Sequence, residues 1–295
     1  MNSVLVVGDI MRDVLVLADG PLRRDTDTSA EIELQFGGSA ANTAMWLGHL
    51  GHPVRFCGRL GVADVVAYQH FASGHGVETY LQEDTDHHTG TIVVLIDGET
   101  RSMLTDRGAN LALSVQDIPS SVIREATLLH LTGYTFFHAV DPAPWCDLMD
   151  QVRAQGGRVI LDTSSAGFLA DYGAERWWQV ATHTSILRAN QEEAELLTGE
   201  DEPLRQAAAL STRGMMAIVT CGGRGAVWCE PGGSPVQLPA TPLGPEGVVD
   251  PTGAGDSFSA GLIAGLCEGL SGDEAIRRGL DLSALVVSRP GAGPS

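Results

Sequence analysis

The chain has 295 residues, 43% of them hydrophobic, and a formal net charge of −19. A chain of this size can bury a full core without disulfide or metal staples, and a field of that sign repels nucleic acid and anionic membrane, so neither is expected as a partner. All 18 basic residues are arginine; with no lysine, a P-loop of the GxxxxGK[ST] type, a protein-kinase site and a Schiff-base enzyme are excluded in their usual forms.

In chain order, the first signal is "SVLVVG" at 3–8, a continuous apolar run of the kind buried on both faces of a sheet. Residues 12–18 and 29–36 ("SAEIELQF") alternate polar and apolar instead, as do parts of 90–105 ("GTIVVLIDGETRSMLT"), with "DGET" as a turn between two strand-like runs. Alternation means one wet face. These segments predict a small antiparallel β sheet standing off the main fold as a lid would, with extra edge strands of the main sheet as the other reading.

Helical spacing marks 40–50, 62–74, 142–155, 190–198, 203–213, 256–268 and 272–287, and apolar strand-like runs lie at 127–133, 158–163, 184–190 and 215–221. Strand alternating with helix predicts an α/β fold, a three-layer α/β/α arrangement around a mostly parallel central sheet, whose ligands sit at the carboxyl ends of the strands. Residues 1–295 read as one such domain, with the lid inserted from segments 12–36 and 89–107. "PGGSP" at 231–235 reads as a hairpin loop. The scattered cysteines (Cys57, Cys146, Cys221, Cys229, Cys267) have no CxxC spacing and read as small buried hydrophobes. No apolar run is long enough to span a membrane and Met1 leads straight into a strand-like segment, so a soluble cytoplasmic protein is expected.

"DPTGAGDSFSAG" at 250–261 sets Gly253, Ala254 and Gly255 at the mouth of a helical run and follows them with the carboxylate of Asp256. Residues with almost no side chain let successive N–H groups converge on one point, and the helix adds the positive end of its dipole, which together make an anion hole. Asp256 beside it is either an N-cap or a general base that takes a proton from a hydroxyl while the amides stabilise a transferring phosphoryl group.

That stretch resembles the C-terminal signature of the ribokinase-like (PfkB) carbohydrate kinase family, DTxGAGDxFxxG. "GDIMRD" at 8–13 and "FGGSAANTAMWLGHLG" at 36–51 are similar to the family's first strand and GGxxxN loop. "TG" at 89–90, "RGAN" at 107–110, "NQEE" at 190–193, "VTCGGRGA" at 219–226 and the tail "VVSRPGAGPS" follow in family order, so the resemblance spans nearly the whole chain. It implies a ribokinase-like fold and ATP-dependent phosphorylation of a hydroxymethyl group on a sugar or sugar-like acceptor, with Mg2+ and, in many members, K+.

Residue by residue, the resemblance implies Asp256 as the base, with the amides of Gly253, Ala254 and Gly255 as the anion hole. Asn190 and Glu193 would organise magnesium and phosphate through water, a pair that also fits a helix capping box, and Thr220, Gly222 and Gly225 would lie along the nucleotide. Asp13, Gly37, Gly38 and Asn42 match the sugar-contacting positions, where Asp and Asn suit vicinal hydroxyls; the lesser alternative is Asp13 as a surface charge and Asn42 as a tie within its own loop. Asp250, Thr252, Ser288, Gly291 and Ser295 match the monovalent-cation loop and tail, and the family's paired lids imply a homodimer.

The departures bear on substrate. Ribokinases of the family carry Asn before the first aspartate and Lys in the GGxxxN loop, where this chain has Met11 and Ser39, so ribose itself is not the expected acceptor. Pro251 replaces a usual Thr, and Val62 and Ala63 stand where an acid is common. Arg101 and Arg107 flank the expected lid; as partners of a carboxylate they favour a sugar acid, and otherwise they are solvated lid residues. Asp162 ends a central strand, as a site residue or as a cap. His87 and His88 read as exposed, and Trp177 and Trp178 as core or interface. A nucleoside kinase on the same fold is the alternative, marked by an apolar or aromatic wall near Met11 and Phe36; a non-catalytic sugar or nucleotide sensor is a more distant one. The first strand lacks the GxGxxG of a nicotinamide-dependent dehydrogenase.

Overall fold

The computed structural model describes residues 3–97 and 100–294; Gly98 and Glu99 of the expected turn, the side chains of Ile96, Asp97, Thr100 and Arg101, and Ser295 lie outside the described residues. From the amino terminus, β1 (Val4–Val7) leads into β2 (Met11–Ala18) and β3 (Ala30–Gly37), then α1 (Ser39–His49), β4 (Val54–Gly61), α2 (Val65–Gly74) and β5 (Val77–Asp84). A second excursion, β6 (Gly90–Asp97) and β7 (Thr100–Asp106), precedes α3 (Ser120–Glu125), β8 (Leu128–Thr132), α4 (Ala143–Ala154), β9 (Arg158–Asp162), α5 (Ala166–Tyr172) and α6 (Ala174–Ala181). The remainder is β10 (Ile186–Asn190), α7 (Gln191–Thr198), α8 (Pro203–Ser211), β11 (Met216–Thr220), the hairpin β12 (Ala226–Cys229) and β13 (Val236–Leu238), α9 (Ala254–Cys267) and α10 (Gly272–Val287).

The large sheet has the order β13-β12-β11-β10-β9-β8-β1-β4-β5, parallel from β5 through β11, with β12 and β13 added antiparallel at one edge around the "PGGSP" loop. Its strands are buried on both faces because their residues alternate between two cores. Leu5 and Val7 pack with α4, α7 and α8 on one side, while Val4 and Val6 pack with α1, α2, α9 and α10 on the other. This is the expected three-layer arrangement. Cys57, Cys146 and Cys229 are buried and all five cysteines are free thiols.

The small sheet has the order β3-β2-β6-β7. Its outer pairs are antiparallel, and the two halves meet through a parallel central pair, β2 with β6, that alternation alone does not reveal. Register puts Asp13, Gln35, Ile92 and Thr105 on one face, and Val14, Leu34, Val93 and Leu104 on the other.

Several elements escape sequence periodicity for local reasons. β4 interrupts its apolar residues with Arg55, Gly58 and Arg59, and α3, α5 and α6 span at most eight residues, too short for an amphipathic period to repeat clearly. Gly173, at φ 90°, separates α5 from α6. Residues 62–64 form a 3-10 turn, so the helix expected from 62 starts at Val65.

Candidate active site

α9 begins beneath a turn that only glycine fits. Gly253 sits at φ 77°, in the left-handed region, and a Cβ there would stand 2.7 Å from Ala292 Cα of the carboxyl-terminal tail. The tail is pinned in turn by Trp46, whose ring nitrogen donates to the Ala292 carbonyl at 2.8 Å. Of the three amides at the helix mouth, that of Ala254 donates to Pro251 O at 3.3 Å, while those of Gly253 and Gly255 make no hydrogen bond to another described residue. A helix leaves its first N–H groups without intrahelical partners, and the amide of Gly255 in the first turn and that of Gly253 just ahead of the helix are in that state here.

That carboxylate, Asp256, is gripped from α1. Ser39 Oγ donates to Oδ1 at 2.7 Å and Asn42 Nδ2 to Oδ2 at 2.9 Å, and Thr43 Oγ1 reaches the Asp256 carbonyl at 3.3 Å. α1 can present these groups because its own first turn is capped from elsewhere. Gly38, at φ 107°, has no capping side chain, and Asp9 supplies the acceptors, Oδ2 to Ser39 N–H at 3.0 Å and Oδ1 to Ala40 N–H at 3.2 Å. Burial pushes Asp256 up to about 7; the hydrogen bonds from Ser39 and Asn42 oppose that, and the charges of Asp162 and Asp9 add to it.

Asp13 stands at the root of the small sheet. Its Oδ1 is buried without a hydrogen-bond partner, and burial with the nearby charge of Asp9 lifts the carboxyl to about 6. A Cβ on Gly37 would overlap Asp13 Oδ2, which explains the glycine at that position. Beside it, Asp64 accepts from Arg12 at 2.6 Å and from Thr89 at 2.6 Å, tying the first and second halves of the small sheet to the start of α2. Asp64 is the acid that comes one position later than the family pattern, and its carboxylate is turned to this clasp, held below the usual range chiefly by Arg12.

Behind the helix mouth, the strand ends turn polar together. On the face that meets α9, β8 ends in Thr132, β9 in Asp162 and β11 in Thr220, and β10 carries Arg188 two residues before its end. Arg188 is buried, donates through Nη1 to both Asp162 oxygens at 2.9 Å and through Nη2 to Thr220 Oγ1 at 2.9 Å. A Cβ on Gly255 would lie 2.8 Å from Arg188 Nη1, so the guanidinium packs directly against Gly255. Asn190 and Glu193 form a reciprocal capping box on α7, Glu193 N–H to Asn190 Oδ1 at 2.9 Å and Asn190 N–H to Glu193 Oε2 at 2.8 Å. Glu193 is buried and raised to about 7 by that burial, against the pull of Arg188.

Over residues 1–295 the sequence matches the family described as pfkB family carbohydrate kinase. The chain belongs to the pfkB family of carbohydrate kinases. A fructokinase of Escherichia coli is 32% identical over 98% of this chain and 94% of its own, and adenosine kinase 2 of Arabidopsis thaliana is 24% identical over 98% and 90%. Among solved structures, a probable sugar kinase from Rhizobium etli superposes with a TM-score of 0.87 at 21% identity, covering 99% of this chain and 95% of that one. A putative ribokinase II from E. coli in complex with ATP and Mg2+ gives 0.85 at 21%, covering 99% and 94%. The fold is therefore the ribokinase-like one.

In this family member several positions are arranged differently from what residue types imply. Gly222, at φ 54°, faces open space, but at Gly225 the close approach is made by the chain's own backbone: a Cβ there would overlap Leu238 O. Asp250 closes its loop, Oδ1 accepting from Thr252 N–H at 2.8 Å and Oδ2 from Gly291 N–H at 3.1 Å, while Ser288 Oγ turns back to Leu285 O at 2.8 Å; Ser295 lies outside the described residues. Arg107 is buried, not a solvated lid residue. His87 and His88 are exposed as expected, and Trp177 is fully buried. Among the described residues no group of three or more His, Cys, Asp or Glu side chains could hold a metal, and no helix is long and apolar enough to cross a membrane.

The residues that sequence reasoning missed are Ser39 and Arg188. Ser39 was visible only as a departure from the ribokinase lysine. Arg188 carried a clearer signal, a charged residue inside the run "ILRAN" whose neighbours are those of a doubly buried strand.

Proposed function

We propose that this chain is an ATP-dependent kinase that phosphorylates a hydroxymethyl group of a sugar or sugar acid, with Asp256 as general base and the amides of Gly253, Ala254 and Gly255 as the anion hole. The observation that carries the reading is the pairing of a carboxyl held near neutrality with two unbonded amides at one helix mouth. A base with that affinity accepts a hydroxyl proton at physiological pH and still releases it after transfer, and fixed N–H dipoles meet the charge on the moving phosphoryl group without reorganising.

On the nucleotide side the oxygen donors Asn190 and Glu193 suit a hard cation; Glu193 has a second carboxylate oxygen that takes no hydrogen bond from a described residue. Bound there, Mg2+ would neutralise part of the phosphate charge. Thr220 and Gly222 would border the nucleotide, and Arg188 adds positive charge under the hole. Asp13, Gly37, Gly38 and Asn42 would meet the acceptor, and the small sheet would act as its lid, excluding competing water. For a monovalent cation, the loop of Asp250 and Thr252 with Ser288 and Gly291 would offer carbonyl oxygens, since the Asp250 carboxylate holds amides. The outer face of the lid, where Ile32, Leu34 and Leu104 are each at least 60% exposed, is the surface we assign to a homodimer.

The nucleoside reading has less support. Met11 is fully buried against Gly90 and Asn110, and Phe36 packs edge-on to Tyr68 at 5.1 Å with Arg12 4.1 Å over its ring, which leaves neither as an open stacking wall. An ADP-release assay over pentoses, hexoses, keto-deoxy acids and nucleosides tests the function: release dependent on a sugar or sugar acid is expected, and release with no acceptor in the panel, or with nucleosides alone, overturns it.

A further inference from the structure

Arg107 is a buried cation with no anion beside it among the described residues. It is 8% exposed, its Nε has no hydrogen-bond partner, Nη2 reaches only the Tyr134 carbonyl at 3.3 Å, and the guanidinium lies 4.9 Å from the Tyr134 ring centroid. No carboxylate pairs with it among the described residues, in a chain with 37 acidic residues. Its chain neighbour Asp106 is committed elsewhere, accepting from Gly108 N–H at 3.0 Å and facing His88 Nε2 at 3.3 Å. A buried guanidinium without a counter-charge is costly unless something with matching acceptors arrives.

The loop that carries Arg107 is fixed in advance. Asn110 Nδ2 donates to Ile10 O at 2.8 Å and to Arg107 O at 3.0 Å, and Asn110 Oδ1 accepts from Ile10 N–H at 2.9 Å, so the arginine is fastened to the junction of β1 and β2 that also carries Asp13. The arginine lines a cavity of about 30 Å3 with Asn110, Tyr134, Thr135, His138 and Trp145; Thr135 Oγ1 there is likewise buried and unpartnered, and His138 is exposed at the rim. The cavity lies close to the acceptor residues at the junction of β1 and β2. Tyr134 lies within electrostatic reach of both Arg107 and Asp256, and Thr135 Oγ1 is 3.5 Å from where a Cβ on Gly8 would stand, next to Asp9.

We propose that Arg107 anchors an oxyanion, a carboxylate or a phosphate ester, carried by the acceptor itself at the end remote from the hydroxymethyl group. The fork of the guanidinium and the Thr135 hydroxyl supply directed donors for such a group. A hydroxyl in its place would leave the arginine's charge without a counter-ion, which is how a site rejects the neutral analogue. The proposal deepens the kinase reading and rests on it.

The test uses the full chain, ATP and Mg2+, and four acceptors: a 2-keto-3-deoxyhexonate, a ketohexose 1-phosphate, fructose and adenosine. The expected result is a kcat/KM at least about tenfold higher for one of the two anionic acceptors than for fructose, the better of the two telling carboxylate from phosphate. Arg107→Met should abolish that preference, lowering kcat/KM for the anionic acceptor, mostly through KM, by about tenfold or more relative to fructose, and Arg107→Lys should restore part of it. A wild-type enzyme that prefers fructose overturns the anion assignment and leaves the kinase reading standing; one that turns over adenosine alone overturns both. An Arg107→Met enzyme that loses fructose and the anionic acceptor alike with no recovery in Arg107→Lys overturns the anion assignment only. If none of the four releases ADP, and Asp256→Asn behaves as wild type, the kinase reading fails and this proposal with it.

Discussion

The hydroxyl of Ser39 donates to Oδ1 of Asp256 at 2.7 Å across 217 positions of the chain. This bond, with the one from Asn42, favours the ionised carboxyl and so opposes the burial that lifts it to about 7. As the proposed general base Asp256 must be deprotonated to act, so activity should rise with pH through about 7 and fall on the acid side. Ser39→Ala removes one stabiliser of the anion. The acid limb of kcat should then move to higher pH, with a loss of about threefold to tenfold near neutrality that is recovered in base. An unmoved limb in the pH profile would show that the serine does not tune the base.

Asp256→Asn should lower kcat by about a thousandfold while ATP binding, followed by thermal shift, persists. The same change should stabilise the free protein. The folded carboxyl, near 7, binds protons more tightly than its unfolded value of 3.8, so its contribution to stability falls as pH rises between those values. The variant's advantage should therefore be near zero at the bottom of that window and largest above it, about 1 kcal/mol or more. Comparing variant with wild type at each pH cancels His130, buried neutral at about 4, which works in the opposite sense. Denaturant titrations across that window measure it.

Gly255→Ala sets a methyl against the Arg188 guanidinium, which three hydrogen bonds hold in place. The expected outcome is a folded protein with kcat/KM reduced by about tenfold or more, because the ion pair must shift under the proposed anion hole. Arg188→Met leaves Asp162 buried and without its partner, and should cost about 3–5 kcal/mol of stability by chemical denaturation.

Asp64→Ala releases Arg12 and Thr89 together. The small sheet should then open more often, seen as faster hydrogen exchange in β2 and β6, and the acceptor KM should rise by about threefold to tenfold with kcat changed less. Unchanged exchange in those strands would mean that Asp64 does not hold the sheet.

Leu34→Asp places a charge on the lid face assigned to the homodimer, where Leu34 is 65% exposed and faces away from Asp13. A monomer in analytical ultracentrifugation is expected, against a dimer for the wild type, with the fold retained. A wild-type monomer would refute the assignment.

Much of this protein could be read from residues close in sequence. The continuous apolar runs at β1, β8, β9 and β11 announce strands buried on both sides, and "GAGD" announces a helix mouth, since backbone conformation and burial pattern repeat over a few positions. The capping box of Asn190 and Glu193 lies three positions apart and was equally open to view. Gly37 shows the limit: the chain displays the glycine, but only the paired strand shows that Asp13 fills the space its side chain would need.

What the chain alone determined is the alternation of strands and helices, the absence of any lysine ammonium, and the glycine-lined helix start that takes its place. What the tertiary structure decided is electrostatic: that Ser39 and Asn42 grip Asp256, that Arg188 finds Asp162 beneath Gly255, and that Arg107 finds no carboxylate among the described residues. Local patterns fix backbone shape, but charge and proton affinity depend on burial and on partners brought near from distant parts of the chain, which only the packed structure supplies.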